Sequence, residues 1–108
     1  MKRPAASKRA NLPRQASYSR EFRKDWQRLS RSGRYDMNRL KAVMILLIAN
    51  DAPLGSEWQD HALRGSWTHC RECHVGGDFL LIYRLEDTDG PSGSIRFARA
   101  GSHAELFE

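Results

Sequence analysis

The sequence predicts an α+β domain, a two-helix hairpin packed on one face of a small antiparallel sheet. Three observations predict it. Apolar residues recur at helical spacing through residues 19–49, a Ser32-Gly33-Arg34 break divides that pattern in two, and a near-continuous apolar run at 79–85 lies between glycine-bearing turns. A chain of 108 residues has room for one core and not for two.

The elements follow in order. Residues 1–16, MKRPAASKRANLPRQA, lack periodicity and bulky apolar residues apart from Leu12, and read as a basic, mobile arm ahead of a single domain at 17–108. Residues 14–18 have a second reading as a short edge strand. Ser19 suits an N-cap, and Phe22, Trp26 and Leu29 then stand at i, i+4 and i+7, the apolar face of an amphipathic helix that Gly33 ends. A second helix begins near Asp36, with Leu40, Val43, Met44, Leu47 and Ile48 as its inner face, and stops at Asn50-Asp51-Ala52-Pro53. Ser66–Val75 reads as a strand, Gly76-Gly77 as a tight turn, and Phe79–Leu85 as a strand covered on both faces. The polar turn 87–93 leads to a third strand, Ser94–Ala98, and Ala100-Gly101-Ser102 bends the chain into a terminal HAELF.

Charge is polarised. Residues 1–41 hold thirteen Lys or Arg against three Asp or Glu, whereas the remainder holds five against ten. A basic segment concentrates polyanions, so nucleic acid is the leading partner class. The longest apolar run, Val43–Ala49, is far short of the roughly 20 residues that span a bilayer, and no apolar core follows the basic N-terminus, so no membrane contact and a cytoplasmic location are expected. Two cysteines in such a setting are expected as thiols.

The sharpest local pattern, Cys70-Arg71-Glu72-Cys73-His74, matches covalent haem attachment. Strand parity opposes it: Cys70 and Cys73 point to opposite faces, and no second cysteine pair completes a zinc site. The histidines carry more. On the same parity His74 shares a face with Cys70 and Glu72, Asp78 follows the turn, and His61 and His103 flank the sheet. Imidazoles near one sheet edge supply the base and the acid that metal-free RNA cleavage requires. The reaction also needs a cation at the phosphorus oxygens, for which Arg71, Arg84, Arg96 and Arg99 are candidates. Phe107, near the chain end, suits either a base-stacking platform or the closing of the core edge.

One ordered string joins these residues: Asp60-His61-Ala62-Leu63, Gly65-Ser66-Trp67, Arg71-Glu72-Cys73-His74-Val75, Asp78, Leu80-Leu81-Ile82-Tyr83, then Arg99 through Phe107. From about residue 17 onward it resembles the YafQ-type toxins of the RelE/ParE superfamily. The resemblance implies a RelE-like microbial ribonuclease fold and a type II toxin that cuts messenger RNA in the ribosomal decoding site without metal or other cofactor. It further implies a cognate antitoxin, and the basic N-terminal segment and helices are expected to contact ribosomal RNA. The matching catalytic positions are His61, His74, Asp78 and His103, with His103 as acid, Asp78 or His74 as base and His61 supporting transition-state charge. Phe107, Phe79, Arg71 and Arg99 are the expected substrate contacts; Phe79 stands where relatives often carry tryptophan. Two other readings share the fold or the charge, a gyrase poison of the ParE branch and a non-cleaving RNA-binding module.

Overall fold

The computed structural model describes residues 12–86 and 93–107. Ser19 starts the first helix: its hydroxyl accepts a hydrogen bond from the Phe22 amide at 2.9 Å, satisfying one of the free donors of a first turn. The same hydroxyl donates to the Ala98 carbonyl at 2.7 Å, which ties the helix start to the sheet. Helix α1 runs Arg20–Ser32 and ends at Gly33, whose φ of 71° is a conformation that a side chain would strain. Helix α2, Met37–Ala49, is capped by the Asp36 carboxylate on the Arg39 amide at 3.0 Å and closed by Asn50 in the left-handed region. Phe22, Leu29, Leu40, Val43, Met44 and Leu47 are buried, with Trp26 and Ile48 packed beside them. The inner face of α1 also buries Asp25, a charge that the apolar spacing does not announce.

Five strands form one sheet: β1 Gln15–Tyr18, β2 His61–Ala62, β3 Arg71–Gly76, β4 Phe79–Glu86 and β5 Ser94–Ser102, in the order β1-β5-β4-β3-β2. Strands β3 to β5 form the predicted antiparallel meander, and β2, which the sequence reading does not contain, adds to its edge antiparallel to β3. Strand β1 joins β5 in parallel, so the sheet is mixed rather than purely antiparallel. The alternation of β4 divides the core. Phe79, Leu81 and Tyr83 enter the helix-side cluster with Cys73, Val75, Ile95, Phe97 and Ala100, whereas Leu80 and Ile82 meet Leu106 on the other face. Burial on both faces explains the apolar run, each such side chain contributing about 1.5–3 kcal/mol relative to exposure.

The structure departs from the sequence reading at several points. The strand expected over residues 66–75 begins only at Arg71, because Gly65–Trp67 forms a 3-10 turn and His69 takes a φ of 80° that breaks an extended chain. The hairpin loop is Gly77-Asp78, not Gly76-Gly77, since Gly76 already pairs with Phe79. Strand β5 continues past Ala98 to Ser102. A register shift opposite Ile82 and Tyr83 places Ala98 between pairs and lets the ladder resume. The terminal HAELF is a short helix, α3, His103–Phe107. Of the expected arm, residues 12–16 make contacts: Arg14 donates from its amide to Ile48 O at 2.8 Å and from its side chain to Leu47 O at 2.7 Å. The rest of the arm, and residues 87–92 of the expected polar turn, lie outside the described residues. Among the described residues no helix is long and apolar enough to cross a membrane.

Candidate active site

Along β3 the side chains of Cys73 and Val75 enter the helix-side core, so Glu72 and His74 belong to the face opposite α1 and α2. Strand β2 sets His61 opposite Glu72 in register. A single carboxylate oxygen of Glu72 lies 3.4 Å from His61 Nε2 and 3.5 Å from His74 Nε2, and the two rings stand 6.0 Å apart. Glu72 is 6% exposed, and the histidines are its two charge partners. His61 Nδ1 lies 2.9 Å from the Gln59 carbonyl, so both nitrogens of that ring face acceptors. These contacts hold the ring between a backbone carbonyl and the Glu72 carboxylate. The three ligand atoms all lie within 4.8 Å of one another, close enough to share a metal ion as well as a proton.

His74 pairs with Leu80, and Leu80 with Gly101, so the row through His74 crosses the sheet to the tail of β5. There the chain turns into α3 through a capping box. The Ser102 amide donates to Glu105 Oε1 at 2.7 Å, and the Glu105 amide donates to Ser102 Oγ at 3.2 Å. Asp78 completes the cap, its Oδ1 accepting from the His103 amide at 3.0 Å. The His103 ring packs on Phe107 at 4.9 Å, and Phe107 meets Trp67 nearly edge-on at 6.1 Å. Phe107 and Trp67 lie against Leu80, Ile82 and Leu106. His61, His74, His103 and Phe107 therefore share the face opposite α1 and α2, and Asp78 sits at its rim as a helix cap.

Three expected substrate contacts are placed elsewhere. Phe79 is 5% exposed in the helix-side core, packed on Tyr35 at 4.8 Å, because it alternates with Leu80. Arg71 donates to Asp60 Oδ2 from Nε at 3.0 Å and from Nη2 at 2.7 Å, and the Tyr83 hydroxyl bonds the other oxygen of the same carboxylate. Arg99 forks onto Asp25 at 2.7 and 3.1 Å. Both arginines are engaged in ion pairs on the side of the sheet that carries α1 and α2. Of the four arginines considered from sequence, Arg84 and Arg96 remain exposed, opposite each other in the β4–β5 register on the side that carries Leu80 and Ile82. Arg84 lies 3.5 Å from Glu86, and Arg96 donates to Ser17 Oγ at 3.2 Å.

The thiols separate as strand parity demands, Cys73 in the helix-side core and Cys70 against the opposite cluster. Burial, reinforced by the charges of Asp60 and Glu72, pushes the Cys73 thiol up to about 12, and burial also raises Cys70 despite Arg84. Both stay protonated near neutrality, which suits neither haem attachment nor nucleophilic attack. Two members of the face escaped the sequence reading. Glu72 was legible as a neighbour of His74 at i+2 but not as the buried link between two histidines; Trp67 lay hidden in a segment read as strand.

Comparison with known proteins adds a family. Residues 14–108 match the family described as bacterial toxin of type II toxin–antitoxin system, YafQ. The mRNA interferase toxin YafQ of Escherichia coli K12 is 43% identical over 96 residues, which cover 89% of this chain and 98% of that protein. The crystal structure of YafQ from Escherichia coli BL21(DE3) superposes with a TM-score of 0.76 at 43% identity, covering 88% of this chain and 99% of the other. A second crystal structure, the Escherichia coli DinJ–YafQ complex, gives 0.75 at 44% identity with the same coverage.

Proposed function

Because this chain belongs to the YafQ family of type II toxin–antitoxin toxins, and so is an mRNA-cleaving endoribonuclease, we propose that it acts on codons inside the ribosomal decoding site by metal-independent acid–base catalysis. The observation that carries the mechanism is the face opposite α1 and α2 that His61, His74, His103 and Phe107 share, with the buried carboxylate of Glu72 between two of the imidazoles. His74 takes the proton of the ribose 2′ hydroxyl, and that oxygen attacks the adjacent phosphorus. His103 protonates the departing 5′ oxygen, leaving a 2′,3′-cyclic phosphate. His61, beside His74 across Glu72, supports the transition-state charge on the phosphorane oxygens. Asp78 is the weaker candidate for the base, since one of its oxygens already caps α3. Phe107, buttressed by Trp67, offers its ring to a base.

The basic N-terminal segment and helices meet ribosomal RNA, and a cognate antitoxin silences the toxin, a reading supported by the existence of a DinJ–YafQ toxin–antitoxin complex for the Escherichia coli relative. The test is cleavage of a defined messenger RNA on programmed bacterial ribosomes, with ribosome-free RNA and His103→Ala as controls. Cutting that needs the ribosome and is lost in His103→Ala supports the reading. Equal cutting of free RNA removes the ribosome from it, and undiminished cutting by His103→Ala removes the acid.

Arg84 and Arg96 give this reading a path for the RNA strand. Like charges placed directly opposite on adjacent strands repel, and an anion lying across them relieves that repulsion. Arg84→Ala and Arg96→Ala are expected to raise KM about 3- to 10-fold at low salt with kcat nearly unchanged, and to flatten the salt dependence of KM by about one phosphate contact each. Titration of KM against salt concentration checks both effects.

A further inference from the structure

A helix of five residues is too short to hold its own shape, yet α3 carries both His103 and Phe107. Beside the Asp78 cap and the packing of Leu106, part of what fixes it comes from α1. Arg28 donates from Nη1 to Asp25 at 2.8 Å, reaches the Ala100 carbonyl with Nη2 at 3.4 Å, and pairs through Nε with Glu105 Oε2 at 3.2 Å. Glu105 is the capping-box acid of α3. Its other oxygen accepts from the Ser102 amide and, at 3.3 Å, from the Tyr35 hydroxyl of the α1–α2 turn. Gly101 makes room for the pair: a Cβ there would meet Glu105 Oε1 at 2.7 Å and Arg28 Nη2 at 3.1 Å. One carboxylate thus joins α1, the helix turn and the backbone of β5 to the helix that bears the acid.

We propose that Arg28, acting through Glu105, is a positioning residue for the cleavage step, setting the height and tilt of α3 so that His103 meets the leaving oxygen. The inference rests on the reading of His103 as a reacting group. Catalysis is sensitive to such placement, since a shift of about 1 Å in a reacting group costs on the order of 100-fold in rate. Arg28 itself projects from α1, which packs on the opposite side of the sheet from His61 and His74, and the proposed mechanism gives it no contact with the RNA. Its loss should therefore appear in kcat and leave substrate binding nearly unchanged. Burial pulls the Glu105 carboxyl upward, but the Ser102 amide and Arg28 outweigh it and hold the group below its ordinary value. The pair is therefore intact across the neutral range.

The experiment measures single-turnover cleavage on programmed ribosomes for wild type, Arg28→Ala, Arg28→Lys, Glu105→Gln and the double variant, together with melting curves. Arg28→Ala and Glu105→Gln are each expected to lower kcat about 10-fold with KM within about 2-fold, and the double variant to be little worse than either, as for two members of one unit. Arg28→Lys should recover part of the rate, and the alkaline limb of the pH–rate profile should broaden in Arg28→Ala. Because Arg28 also touches Asp25, Glu105→Gln decides the matter if Arg28→Ala fails to fold. Rates within 2-fold of wild type for folded Glu105→Gln overturn the proposal, as do full multiplicative losses in the double variant. A wild type that does not cut, or an active His103→Ala, instead overturns the assignment of His103.

Discussion

Asp25→Ala is expected to lower the stability of the domain by about 3–4 kcal/mol, the cost of breaking a buried charge pair from one side. For a domain of this size that corresponds to a fall in Tm of roughly 12–20 °C. Four donors converge on the carboxylate: Arg99 Nε at 2.7 Å, Arg99 Nη2 at 3.1 Å, Arg28 Nη1 at 2.8 Å and the Ala100 amide at 3.0 Å. Removing it leaves two guanidinium groups facing each other without their common anion and the Ala100 amide without an acceptor, beneath a side chain only 2% exposed. Asp25→Asn keeps the shape but turns an NH2 toward the arginines, so most of the loss remains. Urea denaturation of the two variants beside wild type measures the effect, and a midpoint for Asp25→Ala within experimental scatter of wild type would refute it.

The same site carries a pH signature. Burial drives the Asp25 carboxyl upward, but hydrogen bonds from Arg99, Arg28 and the Ala100 amide, with the charge of Arg99, outweigh it and hold the group below its ordinary value. A depressed folded-state value means that the unfolded chain takes up the proton first. The stabilisation is complete above the unfolded pKa of about 3.9 and is lost as pH falls through the lower folded value. The difference in stability between wild type and Asp25→Asn should accordingly be constant from neutrality to about pH 5 and shrink below about pH 4. Denaturation series at stepped pH values read this directly.

That Asp25 escaped the sequence reading shows where such reading stops. Helical spacing places a residue on a face, and Asp25 sits beside Trp26 and between Phe22 and Leu29, yet a charge at that place has no local reason to be buried. Its reason is Arg99, 74 positions away, brought beside it by the packing of β5 on α1. The helices themselves were legible to the cap residue, because Ser19, Gly33, Asp36 and Asn50 act within one turn. Strand β3 was not, because the turn at Gly65–Trp67 lacks proline and its one left-handed non-glycine residue, His69, leaves no mark in composition. The histidines of the face are legible as residues but not as a group: His61 and Glu72 meet through strand pairing, and the bulge at Ala98 and the Ser102–Glu105 box help to aim α3, which carries His103. Arg71 and Arg99 were chosen for their type, and type does not disclose that Asp60 and Asp25 already hold them.

The division of labour between His74 and His103 has the largest expected effect on activity. Each alanine variant should lower single-turnover cleavage by about 10²- to 10⁴-fold, the range for loss of a general acid or base. Two groups that serve one proton transfer sequence do not add, so the double variant should fall little below the poorer single one. The pH–rate profile then separates the roles by sign. A base must be deprotonated, so it sets the limb on which the rate falls as pH drops; an acid must be protonated, so it sets the limb on which the rate falls as pH rises. His74→Ala should erase the acidic limb and His103→Ala the alkaline one. Exchanged limbs would exchange the roles, and an acidic limb that persists in His74→Ala would move the base to Asp78, whose free oxygen is the only other acceptor assigned to the task. Glu72→Gln sharpens the contrast. It preserves the size of the link between His61 and His74 but removes its charge, so a loss confined to the limb that His74 controls would show that the buried carboxylate acts through that ring and that α3 works independently of it.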